Sequence, residues 1–510
     1  MTTIKKVLCL ALSSLMLLSV LVSCRQDEPP ASDNTSGDVV DSATGETEET
    51  WATDANGYVL DSIEDVDLGG KEIRILMGSN RKRECFIEDD DIGTPVNSAI
   101  FTRNQTVQVR LNCKLNFIEE KDGWESQATY TETAINMSTA NEVDLFTVYS
   151  LTANTLMING VLTDILANDI IEFDKPYWNS KMVESCSLYD KMYFCTGEIS
   201  YTLIDCIYVM LFNKELAADM GMPRYLSETY GIDSLYDLVE SGEWTLDNMM
   251  KIAKQFSVDS DGVKNAEDTF GYVASSVSID SYWGASNLTH LSKGNDGSIV
   301  ICDDMSSKKA SDLAAKVVEF MKSPAVMVQG SFAKVEKDPA PATFWDKGQA
   351  VFYHISLNEL MRDTGFEMGV LPIPKYDEDQ EEYLTCPGFG YGMWGIARSA
   401  ENYEDLCYVM ECMASESYRK VIPVYFDQML LNRQDAVDDY KVLQTLRESI
   451  VVDGGRVMDK VFNSTSWGVF RGAVLNGVDY LGYYQQFDTP LKEQAVSLNS
   501  LVLNMEQIYS

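Results

Sequence analysis

The amino-acid sequence predicts an α/β fold with a mostly parallel sheet. Three observations point there. Apolar residues recur at every second position in Lys71–Met77, then on one helical face from Val96 to Leu111, then in a further strand candidate at Cys113–Glu119. The same alternation of periods returns from Ile207 onward. At 510 residues, 45 % of them apolar and 10 % aromatic, the chain can fill the cores of two or more packed units. Strands separated by helices of this length read as βαβ units.

In the first strand the alternating residues are Ile73, Ile75 and Met77. The helix after it carries Val96, Ile100, Val107 and Leu111 on one face. Pro95 suits its first turn, where no amide hydrogen is needed. Glu125–Ala140 is a weaker helix and Val143–Tyr149 a third strand. The second set opens with the strand Ile207–Asn213. Thr245 can cap a helix whose face is Leu246, Met249, Met250, Ala253 and Phe256. Ala310, Leu313, Ala314, Val317, Val318 and Met321 form a clear amphipathic helix. Ala350–His354 and Met368–Ile373 are strands, and Met393–Ala397 reads as one more. Tyr403, Leu406, Cys407, Met410 and Met413 mark another helix. The remainder is largely helical, with loops near Asp453–Gly455 and Thr465–Gly468. There is no internal repeat.

Charge narrows the function. Asp and Glu number 79 against 40 Lys and Arg, a formal charge of −39. So negative a surface repels phosphate backbones and argues against nucleic-acid binding. The eleven cysteines include no Cys-x-x-Cys pair, and the two histidines are His290 and His354. Neither a zinc site nor any other metal or cofactor site is expected. Thiols such as Cys206 and Cys407 lie in apolar runs and are expected as small buried hydrophobes.

Residues 1–24 read as an export signal. Lys5 and Lys6 precede an apolar run from Val7 to Val22, too short and too near the terminus for a permanent span. The ending Leu21-Val22-Ser23-Cys24 resembles the bacterial lipobox. That resemblance implies diacylation of Cys24 and a chain anchored by lipid outside the cytoplasm. Nine other thiols would remain, an odd number that fits poorly with a full disulfide framework. Residues 25–67 hold thirteen acidic residues among Ser, Thr, Gly and Pro, and are expected to be a disordered, solvated tether.

Catalytic patterns are missing. There is no Gly-x-Ser-x-Gly, no phosphate loop and no His-Glu-x-x-His. Gly390-Tyr-Gly392-Met-Trp-Gly395 matches a dinucleotide fingerprint by letters. Its context, a strand where a helix should begin, argues against nucleotide binding. Asp259-Ser-Asp261-Gly262 resembles the start of a calcium loop. Val263 and Lys264 break the ligand alternation, so a polar turn is expected, with Glu267 and Asp268 nearby.

Several segments together resemble the sugar-binding extracellular solute-binding proteins of bacterial ABC importers. Asp144-Leu-Phe-Thr-Val-Tyr149 followed by Gly160-Val-Leu-Thr-Asp164 is similar to that family's strand and turn. Lys191-Met-Tyr-Phe194 followed by Ile207-Tyr-Val-Met-Leu-Phe-Asn213-Lys214 is similar to its crossover, with Asp190 in place of the usual glycine. Gly242-Glu-Trp244-Thr245, Asp261-Gly262 and Phe270-Gly271-Tyr272, then Phe344-Trp-Asp-Lys-Gly348-Gln-Ala-Val351 and Gly369-Val-Leu-Pro372-Ile-Pro374, follow in the family's order. The likeness spans about residues 70–420. It implies a two-lobe, class II periplasmic-binding-protein-like fold with crossing hinge strands. Lobe one would be 68–205 plus 351–400, and lobe two 206–350 plus 401–510. It further implies a monomer that is not an enzyme, that takes a carbohydrate, in the first instance an oligosaccharide, between the lobes, and that delivers it to ABC permease subunits. A lipid-anchored glycan hydrolase and a surface glycan-adhesion module are the alternatives.

A sugar has an apolar face and a rim of hydroxyls, so its pocket wants aromatic plates beside carboxylates and amides. Trp178, Trp283, Trp394 and Trp467 all stand in polar or small-residue surroundings, where an indole is less easily explained as core. Tyr353 and Phe389 end or follow strands, while Tyr201 and Asp205 precede the crossover strand with Glu198. These eight, Trp178, Tyr201, Asp205, Trp283, Tyr353, Phe389, Trp394 and Trp467, are the expected ligand contacts. Glu198 is expected to be solvated or capping, and His354 to be a core histidine.

Overall fold

Two separate sheets carry the chain. The computed structural model describes residues 51–88, 92–262, 264–265, 267–328, 340–431 and 436–508. The expectations for the export signal, for Cys24 and for the tether up to residue 50 lie outside the described residues. The first sheet orders its strands β11-β3-β1-β2, from β1 (Lys71–Gly78), β2 (Cys113–Glu120), β3 (Leu145–Tyr149) and β11 (Gly392–Ile396). β1 pairs parallel with both β2 and β3, and β11 closes the edge antiparallel to β3. The second sheet runs β10-β4-β9-β5-β8, from β4 (Tyr208–Asn213), β5 (Phe270–Ala274), β8 (Val326–Val328), β9 (Ala350–Ser356) and β10 (Met368–Leu371). β5 is parallel to β8 and β9, while β4 is antiparallel to β9 and β10. A small hairpin, β6 (Leu291–Lys293) with β7 (Ile299–Ile301), stands apart.

Burial explains the strand types. β3, β4, β5 and β10 are buried at every position, as strands covered by helices on both faces must be. The capped helices form where predicted. Thr94 Oγ1 accepts from Asn97 N at 3.1 Å at the start of helix Pro95–Arg110. Thr245 Oγ1 accepts from Asn248 N at 3.4 Å at the start of Leu246–Gln255.

The sheets divide the chain differently from the expected lobe boundaries. β9 and β10, placed in lobe one by the sequence, are hydrogen-bonded to β4 and belong to the second sheet; within 351–400 only β11 returns to the first. Helix Tyr403–Lys420, placed in lobe two, packs on Pro95–Arg110. Arg103 Nη1 donates to Ser417 Oγ at 3.1 Å, and Arg110 pairs with Glu416 at 2.9 Å. These are long-range matches of charge and hydrogen bonding that no local period encodes. The expected tether is also shorter than predicted. Asp61 is held by Arg110 at 2.7 Å, Ser62 Oγ donates to Glu172 at 2.9 Å, and Lys175 Nζ donates to the Leu60 carbonyl at 2.8 Å. Residues 60–62 are therefore held against the first lobe.

Three extended segments cross between the lobes side by side. Tyr208 N donates to Cys386 O at 2.9 Å and Gly388 N to Cys206 O at 2.8 Å. Thr385 N donates to Ser449 O at 2.9 Å and Val451 N to Thr385 O at 2.8 Å. A backbone ladder of this kind fixes where the lobes join. The nine cysteines among the described residues are all free thiols. No helix among those residues is long and apolar enough to cross a membrane.

Candidate functional site

In open α/β sheets a ligand sits beyond the carboxyl ends of the strands. In the first lobe those ends lead to Arg81, just past β1, and to Tyr149 and Ser150 at the end of β3. Ser150 Oγ donates to Phe389 O at 2.7 Å, and Arg81 donates to Gly390 O. The backbone at Phe389 is thus pinned to the first lobe. Its half-buried ring faces the second. The Arg456 guanidinium lies 4.3 Å from the Phe389 ring centroid, and the Trp467 ring 5.1 Å away.

A charged frame surrounds the ring. Asp280 follows the end of β5 in the short helix Ser278–Asp280. Its carboxylate accepts from Arg456 at 3.1 Å and lies 3.4 Å from Arg471 Nε. Arg471 stands one turn after Trp467, with its guanidinium 4.5 Å from the indole centroid. The indole nitrogen of Trp467 donates to Asp459 Oδ1 at 2.6 Å. Burial raises the pKa of the Asp280 carboxyl, and the two guanidiniums pull it back toward the charged form. Two buried polar atoms in this frame, Arg456 Nη2 and Asp459 Oδ2, have no hydrogen-bond partner among the described residues, while Asp280 Oδ1 faces Arg471 Nε. Two aromatic plates beside unspent donors and acceptors is the chemistry that a ring of hydroxyls requires.

Of the eight expected contacts, Phe389 and Trp467 meet in this site. Trp283 does not. It is stacked on His290 at 5.0 Å and walled by Phe470 and Tyr480, 1 % exposed. Trp178 and Trp394 belong to the first lobe's core: their indoles donate to Glu411 at 2.7 Å and to Ser200 at 3.0 Å. Tyr353 is buried in β9 against Trp345 at 5.4 Å. Tyr201 and Asp205 form another cluster. Buried Asp205 pairs with Arg83 and accepts from Tyr425 OH, while the Tyr201 and Tyr425 rings lie 4.9 Å apart. The acid placed near the hinge is thus matched by an arginine, not left for a ligand hydroxyl. The four indoles do not converge.

Other expectations resolve simply. Glu198 is buried and paired with Arg447, neither solvated nor capping. His354 is a core histidine: Tyr272 OH and Ser281 Oγ lie 2.7 and 2.8 Å from its two ring nitrogens, and burial lowers its pKa to about 3. The glycine fingerprint forms β11. At Gly392 an added Cβ would meet Glu84 Oε1 at 2.4 Å and Ser200 Oγ at 2.6 Å, so packing requires the glycine there. Asp259, Asp261 and Asp268 place oxygens within 4.8 Å of one another, but the first two are exposed and Asp268 closes a turn by accepting from Asn265 N. A groove of about 1000 Å³ runs between helix Ser180–Cys186 and the Tyr376–Leu384 segment. Lys181, Glu184, Asp377 and Glu381 line it together with Tyr376, and none of the eight expected contacts does.

Sequence reading missed Asp280, Arg456, Asp459 and Arg471. A usable signal existed only for Arg471, an arginine four residues after a tryptophan at a helix start.

The burial of Glu411 leads to a pH prediction. Tyr177 OH, the Trp178 indole and Glu172 N all donate to it, yet burial raises its pKa from 4.5 to about 7. A raised carboxyl pKa leaves its contribution intact below the unfolded value and removes it as pH rises through the folded one. Stability should therefore fall between pH 4.5 and about 7. Glu411→Gln is expected to flatten that slope and to gain about 1–3 kcal/mol at pH 8. Urea midpoints across pH measure it; an unchanged slope refutes it.

No protein-family model matches this sequence, and no curated protein sequence does. Solved structures do. The cyclic α-maltosyl-1,6-maltose binding protein of Arthrobacter globiformis aligns with a TM-score of 0.54 at 10 % identity, covering 84 % of this chain and 99 % of that one. The maltose-binding periplasmic protein MalE of Listeria monocytogenes, in complex with maltose, aligns at 0.50 and 13 %, covering 86 % and 99 %. A family 1 extracellular solute-binding protein of Bifidobacterium longum subsp. infantis aligns at 0.50 and 12 %, covering 84 % and 100 %. At these identities the likeness establishes the two-lobe fold.

Proposed function

We propose that this chain captures a carbohydrate between its two lobes without breaking bonds, and delivers it to the permease of an ABC importer. The reading rests above all on one observation: Phe389 and Trp467 meet where the lobes join, framed by Asp280, Arg456 and Asp459 with buried polar atoms unspent. The sugars named for the structural neighbours agree with that chemistry. The lipobox-like ending at Cys24 supports lipid anchoring of the mature protein on the outer face of the cell membrane, where it is proposed to act as a monomer. Closure on the ligand follows if the sugar touches both lobes, because only contacts that differ between open and closed forms shift their balance.

A thermal-shift screen against a sugar panel tests this, followed by calorimetry on the best ligand. Trp467→Ala is expected to weaken binding by about 1–3 kcal/mol, the scale for losing one desolvated aromatic contact. Unchanged affinity removes the site assignment. Release of shorter sugars on incubation with oligosaccharides would replace the binding reading with a hydrolase.

A further inference from the structure

We propose that Trp124 is an outer stacking plate of the same site, so that the ligand is an oligosaccharide reaching from Phe389 and Trp467 to Trp124. This rests on the carbohydrate reading above. Trp124 is 62 % exposed, an unusual state for an indole. It sits in the turn after β2, and that turn is fixed. Buried Asp122 accepts from Tyr149 N at 2.6 Å and from Thr152 Oγ1 at 2.8 Å, and Gln127 Nε2 donates to Trp124 O at 3.4 Å. The turn is thereby tied to the end of β3, the same first-lobe wall that holds Phe389.

The segment after the short helix Gly454–Val457 reaches it. Lys460 Nζ lies 6.0 Å from the Trp124 ring centroid. Lys460 follows Asp459, which holds the Trp467 indole, so one step along the chain links the inner plate to the outer one. Gln127, which holds the Trp124 carbonyl, lines a cavity of about 530 Å³ together with Thr131, Ile135, Thr155, Ile158 and Lys460. Gln127 Oε1 and Thr155 Oγ1, from two of these lining residues, are buried with no hydrogen-bond partner among the described residues. The outer station repeats the inner one: an aromatic face, a cation over it and unspent polar atoms beside it. Stacking on such a face tolerates any sugar ring, while the polar atoms reward one with hydroxyls.

Calorimetry of the full chain tests this with two series, maltose to maltohexaose and cellobiose to cellohexaose. Trp124→Ala should weaken the longer members of the bound series about 5- to 50-fold, the range for one aromatic contact, and leave the shortest within about twofold. Trp124→Tyr should restore most of the loss. Trp467→Ala should weaken every length. Equal loss at all lengths, or none at any, for Trp124→Ala overturns the outer plate and leaves the carbohydrate reading standing. Failure of the unmodified protein to bind any member overturns that reading and the outer plate with it.

Discussion

Trp283→Ala is expected to destabilise the protein by about 3–5 kcal/mol and to leave sugar affinity within twofold, the range for deleting a buried tryptophan from a close-packed core. The ring is stacked on His290 at an interplanar angle of 19° and packed against Phe470 and Tyr480. Removing it opens a cavity among three aromatic neighbours that have little freedom to collapse inward. Its indole nitrogen has no hydrogen-bond partner among the described residues, so truncation orphans no acceptor and the loss is one of packing. Urea midpoints measure the stability and calorimetry the affinity. The contrast with Trp467→Ala is the point: one indole should register in folding, the other in binding. A tenfold affinity loss in Trp283→Ala without a shifted midpoint would return that ring to the ligand site.

That contrast shows what the sequence does and does not carry. Strand period is local, so β1, β2, β3, β4, β9 and β10 were legible within a few residues. Sheet membership is not local. Nothing in Ala350–Ser356 says that its partners are Tyr208–Phe212 and Phe270–Ala274. β8 is only three residues long and Gly271 interrupts the apolar run of β5, so neither stands out as a strand. For the site, polar surroundings proved an ambiguous cue. At Trp467 they marked the start of helix Gly468–Asn476, where the indole meets Phe389. At Trp394 the glycines made room for Glu84 and Ser200, and Ser200 became the indole's acceptor. At Trp178 the acceptor, Glu411, is 233 residues away. Arg456 was invisible for the same reason: its partner Asp280 lies 176 residues before it.

Asp280→Ala is expected to cost about 3–5 kcal/mol of stability, because it leaves two cations at a buried site without their carboxylate. Affinity should fall with it. Asp280 holds Arg456, whose guanidinium lies against Phe389, and neighbours Arg471, which lies against Trp467. Without the acid, both arginines would move toward water and take the faces of both plates with them. A second substitution separates the two effects. In Asp280→Ala combined with Arg456→Met, one uncompensated charge is gone and an unbranched apolar chain fills part of its volume. About 1–3 kcal/mol of stability should return relative to the single variant, a coupling expected of residues in one ion pair. Affinity should not return, since the cation over Phe389 is still missing. Urea melts and calorimetry on the two single variants and the double variant complete the cycle. If affinity recovers together with stability, the ion pair serves folding alone and the polar frame around Phe389 and Trp467 takes no part in holding the ligand.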